Sequence, residues 1–302
     1  MEKELCGVIL VNKHKGVTSH DIVFKIRRLY GTKKVGHTGT LDPLATGVLP
    51  ILIGRAAKAA EYLLSENKTY IAELRLGITT DTEDITGEIL TKSDTIPDKN
   101  AFFEAGAQFI GSIKQVPPMY SALKVNGQKL VDLARKGIEV ERQGRDICIY
   151  SIEPYVIDEK QGLYRIKVSC SKGTYIRTLC ADIGARLGCG AAMTELQRTQ
   201  SGDFNIKDAF TISQLEDMTP CEREGILMPV ESLFTEAPSV TLPDFYARLC
   251  RSGCEIYQKK IGTSLVENSF VRICDKNGFF ALGQVKEYPN GSAIKAVKLF
   301  VL

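Results

Sequence analysis

The sequence predicts an α+β fold followed by a small β-rich C-terminal domain, and three observations carry that reading. Strand-type and helix-type patterns are interspersed from the N-terminal end to about residue 235. Beyond "ILMPVESLF" the texture changes to short strand-like pieces separated by Gly and Asn, which places a boundary near residue 238. At 302 residues and 44% hydrophobic composition, the chain can bury a large core and a second, smaller one.

Each element has a local reason. "GVILVNK" is a short strand of the buried type, and "TSHDIVFKIRRLY" is a helix with Thr18 or Ser19 as N-cap and Ile22, Val23, Ile26, Leu29 and Tyr30 on one face. "RAAKAAEYLL" reads as a second helix, and "TYIAELRLGITTDTEDITGEILTKS" as two alternating strands joined by a polar loop. Asp98 to Ile110 returns to a helical pattern, entered after Pro97 and stopped at Gly111. "QVPPMYSALKVNGQKLVDLARKGIEVERQGRD" combines Pro-Pro, an Asn-Gly turn and a short helix, and with Lys114 just before it gives seven Lys or Arg from Lys114 to Arg145, and so predicts an exposed arm. "ICIYSIEPYVI" and "LYRIKVSCS" follow as strands and "TYIRTLCADIGARLG" as a helix ended by Gly188, while "SFVRICD", "GFFALGQVKEY" and "AIKAVKLFV" supply the C-terminal strands.

Charge and cysteine usage narrow the function. The net charge is only +3, but residues 1–60 carry ten Lys or Arg against four Asp or Glu, and residues 61–110 carry four against ten. One basic face suits a polyanionic partner, although solvated charge blocks give the same count. Nine scattered cysteines without a C-x-x-C pair, and three histidines, indicate neither a zinc site nor a disulfide framework. The N-terminal residues lack a secretory pattern and no apolar run approaches a membrane span, so the expectation is a reduced, cytoplasmic, soluble protein.

The glycine-rich stretch "VGHTGTLDPLATGVLPILIG", residues 35–54, holds one carboxylate, Asp42. Pro43 pushes the Asp42 backbone out of the helical region, and Gly36, Gly39 and Gly47 allow sharp bends around it. The pattern fits an Asp-Pro turn as well as an acid aimed into a cleft. It does not fit a phosphate-binding loop, because no lysine follows the glycines in G-x-x-x-x-G-K-[ST] order.

"GHTGTLDPLATGVLP" resembles the signature of the TruB family of tRNA pseudouridine-55 synthases. Three further blocks match in the family's order: "KTYIAELRLGITTDTEDITGEI", "PPMYSALKVNGQKLVDLARKGIEV" and "CSKGTYIRTLCADIG". The resemblance implies a mixed, largely antiparallel central sheet with flanking helices over residues 1–237, an RNA-binding arm at about 112–146, and a PUA-like RNA-binding domain over 238–302. It implies isomerisation of uridine to pseudouridine in the tRNA T loop, with no cofactor and no metal, by a monomer that needs no protein partner. By the same resemblance Asp42 is the nucleophile, Arg177 pairs with it, and Tyr70 stacks on the flipped base and assists proton removal. Tyr175 and Leu196 line the base pocket and His37 helps hold the extruded nucleotide. Read without the family, Arg177 neutralises a helix or binds phosphate, Tyr70, Tyr175 and Leu196 are core residues, and His37 is a hydrogen-bonded support. Lys58 reads as the solvated face of an Ala-rich helix more readily than as a phosphate contact. Two positions depart from the family pattern: His14 stands where a proline is usual, and Gln197 takes the first place of a usual arginine pair.

Competing readings are a guide-RNA-dependent synthase and an RNA-binding or tRNA-folding protein in which catalysis is secondary. A glycoside hydrolase would need a second carboxylate at a defined separation, and the stretch "GHTGTLDPLATGVLP" supplies only Asp42.

Overall fold

The computed structural model describes residues 5–63, 67–125 and 127–301. Its first strand, β1 (Gly7–Lys13), is buried on both faces and leads into α1 (Ser19–Leu29). Thr18 caps that helix: its hydroxyl accepts from the Asp21 N–H at 3.1 Å, and the Asp21 carboxylate accepts from the Thr18 N–H at 2.8 Å. The glycine-rich stretch then contains two strands that its Gly and Pro content hides, β2 (Val35–His37) and β3 (Thr46–Ile53). Pro50 stands opposite Leu10 in the antiparallel β1–β3 ladder, where it removes one donor but keeps its carbonyl, which accepts from the Thr38 N–H at 3.3 Å.

The single helix expected over "RAAKAAEYLL" is instead a 3₁₀ turn, Gly54–Ala59, followed by one α-helical turn, α2 (Ala60–Leu63). Ala56 and Ala59 are both fully buried, and their spacing of three sets them on one side of a three-residue turn. Next come β4 (Lys68–Leu76), β5 (Ile78–Thr80) and β6 (Ile89–Lys92). Gly77, at φ +83°, breaks the long alternating run, so β5 and β6 leave the main sheet as a separate hairpin. Asp98 caps α3 (Lys99–Ala107) by accepting from the Ala101 N–H at 2.9 Å.

β7 (Gly111–Gln115) pairs with a later strand of the main sheet, and between them lie β8 (Lys124–Val125), β9 (Gln128–Lys129) and α4 (Leu130–Ala134). That later strand is β10 (Arg145–Asp158), so both ends of the expected arm are sheet and the chain leaves it only over residues 116–144. Of the expected Asn-Gly turn, Asn126 lies outside the described residues, and Gly127 has φ +82°. β11 (Leu163–Cys170), α5 (Ile176–Arg186), β12 (Ala191–Ser201) and β13 (Phe204–Asn205) complete the main sheet region. The strand order is β1-β3-β12-β4-β11-β10-β7, with β2 on β3 and β13 on β12, and only the β3–β12 contact is parallel. The sheet is thus mixed and largely antiparallel.

Two short helices, α6 (Ile212–Asp217) and α7 (Pro220–Gly225), precede a β-rich C-terminal domain. It consists of β14 (Ser239–Thr241), α8 (Asp244–Arg251), β15 (Ile256–Tyr257), α9 (Gln258–Ile261), β16 (Phe270–Asp275), β17 (Gly278–Tyr288) and β18 (Gly291–Leu299), in the sheet order β14-β16-β17-β18-β15. Alternation along β1 serves both halves of the molecule: Ile9 and Val11 join the core beneath α1, α3 and α5, whereas Val8 and Leu10 pack with Phe234, Leu282 and Phe300.

Candidate active site

The loop between β2 and β3 is pinned from below. Ser19 accepts from the Leu41 N–H at 2.8 Å and donates to the Leu41 carbonyl at 3.1 Å. The Asp42 carbonyl accepts from the Ala45 N–H at 3.1 Å, and the Pro43 carbonyl accepts from the Gly16 N–H at 2.8 Å, so the Asp-Pro turn is real. Lys13 is fully buried beneath it and donates to the carbonyls of Val17 at 2.8 Å, His14 at 3.1 Å and Pro43 at 3.5 Å. Burial lowers the Lys13 pKa to about 8, against the opposing pull of Asp42. Since the turn uses only backbone groups of Asp42, its carboxylate is left to face a cavity, with 39% of the side chain exposed.

Arg177 meets it there. The guanidinium is 6% exposed and every edge is occupied: Nε lies 3.0 Å from Asp42 Oδ2, Nη1 donates to the Thr82 carbonyl at 3.0 Å, and Nη2 donates to the Tyr120 carbonyl at 2.9 Å. Asp84 Oδ2 stands 3.6 Å from Nη1. The other Asp84 oxygen accepts from the Thr82 hydroxyl and the Thr86 N–H, each at 2.9 Å, which fixes the carboxylate against Arg177. Between Thr82 and Asp84, Glu83 adopts the left-handed conformation at φ 63°, and its carboxylate accepts from the Thr178 hydroxyl. Burial raises the Glu83 pKa, opposed by that hydrogen bond. At the start of α5, the Gln115 amide accepts from the Tyr175 N–H at 2.8 Å and donates to the Tyr175 carbonyl at 3.0 Å, so β7 at the sheet edge sets where Arg177 begins.

The cavity above Asp42 has a volume of about 300 Å³, and Tyr70, Tyr175, Leu196, Arg177 and Arg198 contribute to its wall. That volume is at the small end for a ligand site. Tyr70 is buried, which raises its pKa and keeps the phenol neutral at ordinary pH. Of the six residues expected at the site, His37 is the one that does not line this cavity. Its Nδ1 accepts from the Gly39 N–H at 3.2 Å, and burial lowers its pKa, so it braces the loop as a neutral ring. Lys58 is exposed on the 3₁₀ turn, beside a shallow basic depression that also includes Lys33, Lys34 and Arg55. His14 and Gln197, the two departures, line one cleft behind the loop together with Lys15 and Lys25. Thr82, Asp84, Tyr120, Lys13 and Arg198 were not foreseen. Among the described residues, no three His, Cys, Asp or Glu side chains cluster to hold a metal ion, and no helix is long and apolar enough to cross a membrane.

Comparison with known proteins decides the family. Residues 27–176 match the TruB family pseudouridylate synthase N-terminal domain, and residues 177–235 match the tRNA pseudouridylate synthase B C-terminal domain. The tRNA pseudouridine synthase B of Clostridium kluyveri is 43% identical over 299 residues, covering 98% of this chain and 99% of the relative. The chain belongs to the TruB family. A second relative of the same name, from Francisella tularensis subsp. novicida, is 44% identical and covers 93% of this chain and 91% of its own length. Among solved structures, a Cbf5-Nop10-Gar1 complex includes a chain similar at a TM-score of 0.72 with 27% identity, covering 98% of this chain and 85% of that one. An H/ACA RNP bound to a substrate RNA containing 2'-deoxyuridine gives the same TM-score at 24% identity. The family descriptions end at residue 235, so the second sheet of this TruB-family chain is matched through its full-length relatives.

Proposed function

We propose that this chain isomerises uridine to pseudouridine at position 55 in the T loop of tRNA, with Asp42 as nucleophile. The reaction breaks N1–C1′, turns the detached uracil, joins C5 to C1′, releases the C5 proton and leaves N1 protonated, so atoms balance and it needs no external oxidant or reductant. The observation that carries the reading is one carboxylate in a half-open cavity, gripped by a buried arginine, with a buried tyrosine in the same wall. Arg177 sets a permanent positive charge against the attacking carboxylate and fixes its direction. Tyr70 stacks on the base and takes part in moving the C5 proton, while Tyr175 and Leu196 hold the uracil between the two bond changes.

A stacked T-loop nucleotide reaches such a cavity only if it is turned out of the RNA, at a cost of a few kcal/mol. Segment 116–144 and the basic N-terminal block supply phosphate contacts that offset this cost. The C-terminal sheet acts as a PUA-like RNA-binding module, and the enzyme works as a cytoplasmic monomer. Relatives named tRNA pseudouridine synthase B at 43–44% identity over nearly the whole chain favour action on tRNA, since the similarity to the Cbf5-Nop10-Gar1 complex is only 27%.

Purified protein and an unmodified tRNA transcript carrying C5-tritiated uridine test the reading, with EDTA present and no additive. The expected result is release approaching one tritium per tRNA, abolished when position 55 of the transcript is cytidine. Release that ignores this change, or none at all, overturns it.

A further inference from the structure

Arg198 is 1% exposed, and among the described residues it makes no ion pair, since its partners are all neutral. Nε donates to the Val48 carbonyl at 2.8 Å and Nη2 to the Gly39 carbonyl at 3.3 Å, while Tyr70, its cross-strand neighbour, lines the same cavity wall and feels its charge. Burying a cation without a carboxylate is costly, and a glutamine or methionine at this strand position would avoid the cost. The charge is therefore retained for what it faces.

What it faces is the reacting side of the molecule. Gly39 and Val48 flank Asp42 on either side, so one planar guanidinium ties both limbs of the loop. The strand register sets Arg198 opposite Tyr70 on β4 and opposite Gly47 on β3. Gly47 has φ +110°, and a Cβ there would overlap the Arg198 backbone, so β12 and the loop approach as closely as only glycine allows. An arginine can only donate. Any hydrogen bond between the pair therefore runs from Arg198 to the Tyr70 oxygen, which turns the Tyr70 O–H away from Arg198.

We infer that Arg198 is a positioning residue of this site, which aims the Tyr70 hydroxyl into the cavity and locks it to the Asp42 loop. This rests on the roles proposed above for Asp42 and Tyr70. Arg198 touches no reacting atom in this scheme and acts through its two neighbours. A lysine keeps the charge but cannot span two carbonyls and a phenol at once.

Two measurements test it on the full chain. In single-turnover tritium release, Arg198→Lys and Arg198→Gln should lower the rate constant about 10- to 100-fold, as for a group displaced by about 1 Å, with tRNA Kd changed less than about twofold. In parallel, the tyrosines are replaced by 3-fluorotyrosine and the ¹⁹F line that disappears in Tyr70→Phe is followed against pH. Removing the cation should move that line and shift its titration to higher pH in Arg198→Gln. An unmoved Tyr70 line, with activity lost only in proportion to folded protein, overturns the proposal in favour of a purely structural role. Failure of both variants to fold overturns it as well. If the wild-type protein releases no tritium, the functional reading fails while the fluorine titration still decides the Arg198–Tyr70 coupling.

Discussion

The Asp42 loop and segment 116–144 are both irregular, both rich in Gly or Pro, and held in opposite ways. Around the loop lie Ser19, Lys13, Arg177 and Arg198, all buried, each bonded to its backbone or to its carboxylate. The basic segment is tied near its two ends, through the Tyr120 carbonyl to Arg177 and through Arg142 to the Pro117 carbonyl at 3.1 Å. Its cations Lys124, Lys129, Arg135 and Lys136 are exposed. The carboxylate proposed as nucleophile would tolerate little displacement, and it is surrounded by buried donors; the salt-labile hold on phosphates proposed for the segment needs only charge within reach.

The sharpest break in that comparison is Asp42→Asn. The turn uses backbone groups, so the amide keeps the fold and tRNA binding but cannot attack, and turnover should fall by more than about a thousandfold. Melting temperature, tRNA affinity and tritium release on one preparation check it, and a folded variant with near wild-type turnover ends the nucleophile assignment.

Arg177→Lys should come next, with a loss of about 10- to 100-fold in the single-turnover rate. A lysine cannot reach Asp42, the Thr82 carbonyl and the Tyr120 carbonyl together, so destabilisation of about 1–3 kcal/mol from unpaired buried carbonyls should accompany it in urea melts.

On the other side of the comparison, replacing Lys124, Lys129 and Arg135 together by Gln should raise Kd about tenfold at moderate salt. It should flatten the log–log salt slope by about 2, while saturating single-turnover rates change less than about threefold. Unchanged affinity across the salt series would remove this segment from the RNA interface.

The smallest effect concerns Lys13. Its folded-state pKa of about 8 lies below the unfolded value near 10.5, so the unfolded chain holds more protons between these pH values and stability rises with pH there. Below about pH 8 both states are protonated and this contribution is absent. Lys13→Met should flatten the rise by on the order of 1 kcal/mol between pH 8 and 10, read from urea midpoints.

Much of the site was legible because motifs far apart in the chain carried it: Asp42, Tyr70, Tyr175, Arg177 and Leu196 converge on one cavity. From local pattern alone Asp42 was equally an Asp-Pro turn, and it is one. The groups that were not legible act through backbone carbonyls or through burial. Thr82 and Tyr120 contribute only their carbonyls to Arg177, which any residue could. Lys13 and Arg198 look like surface cations, because hydrophobic patterning cannot mark a buried charge. β3 was hidden by its Gly and Pro, and β12, the run "AAMTELQRTQS", by its many polar side chains. The basic residues Lys114 and Arg145, near the two ends of the expected arm, sit on strands of the main sheet, which a count of charges does not reveal.

The strand order has a consequence for the protein while it is being made. β12 is among the last strands of the main sheet to be synthesised, yet it fills the gap between β3 and β4, which were completed much earlier. On the ribosome, roughly ten seconds separate the completion of β4 from that of β12. Throughout that interval Tyr70 lies on an unpaired strand edge, and neither Leu196 nor Arg198 exists to wall the cavity. A growing chain therefore carries no assembled site among the RNAs around it until the wedge of β12 closes the sheet.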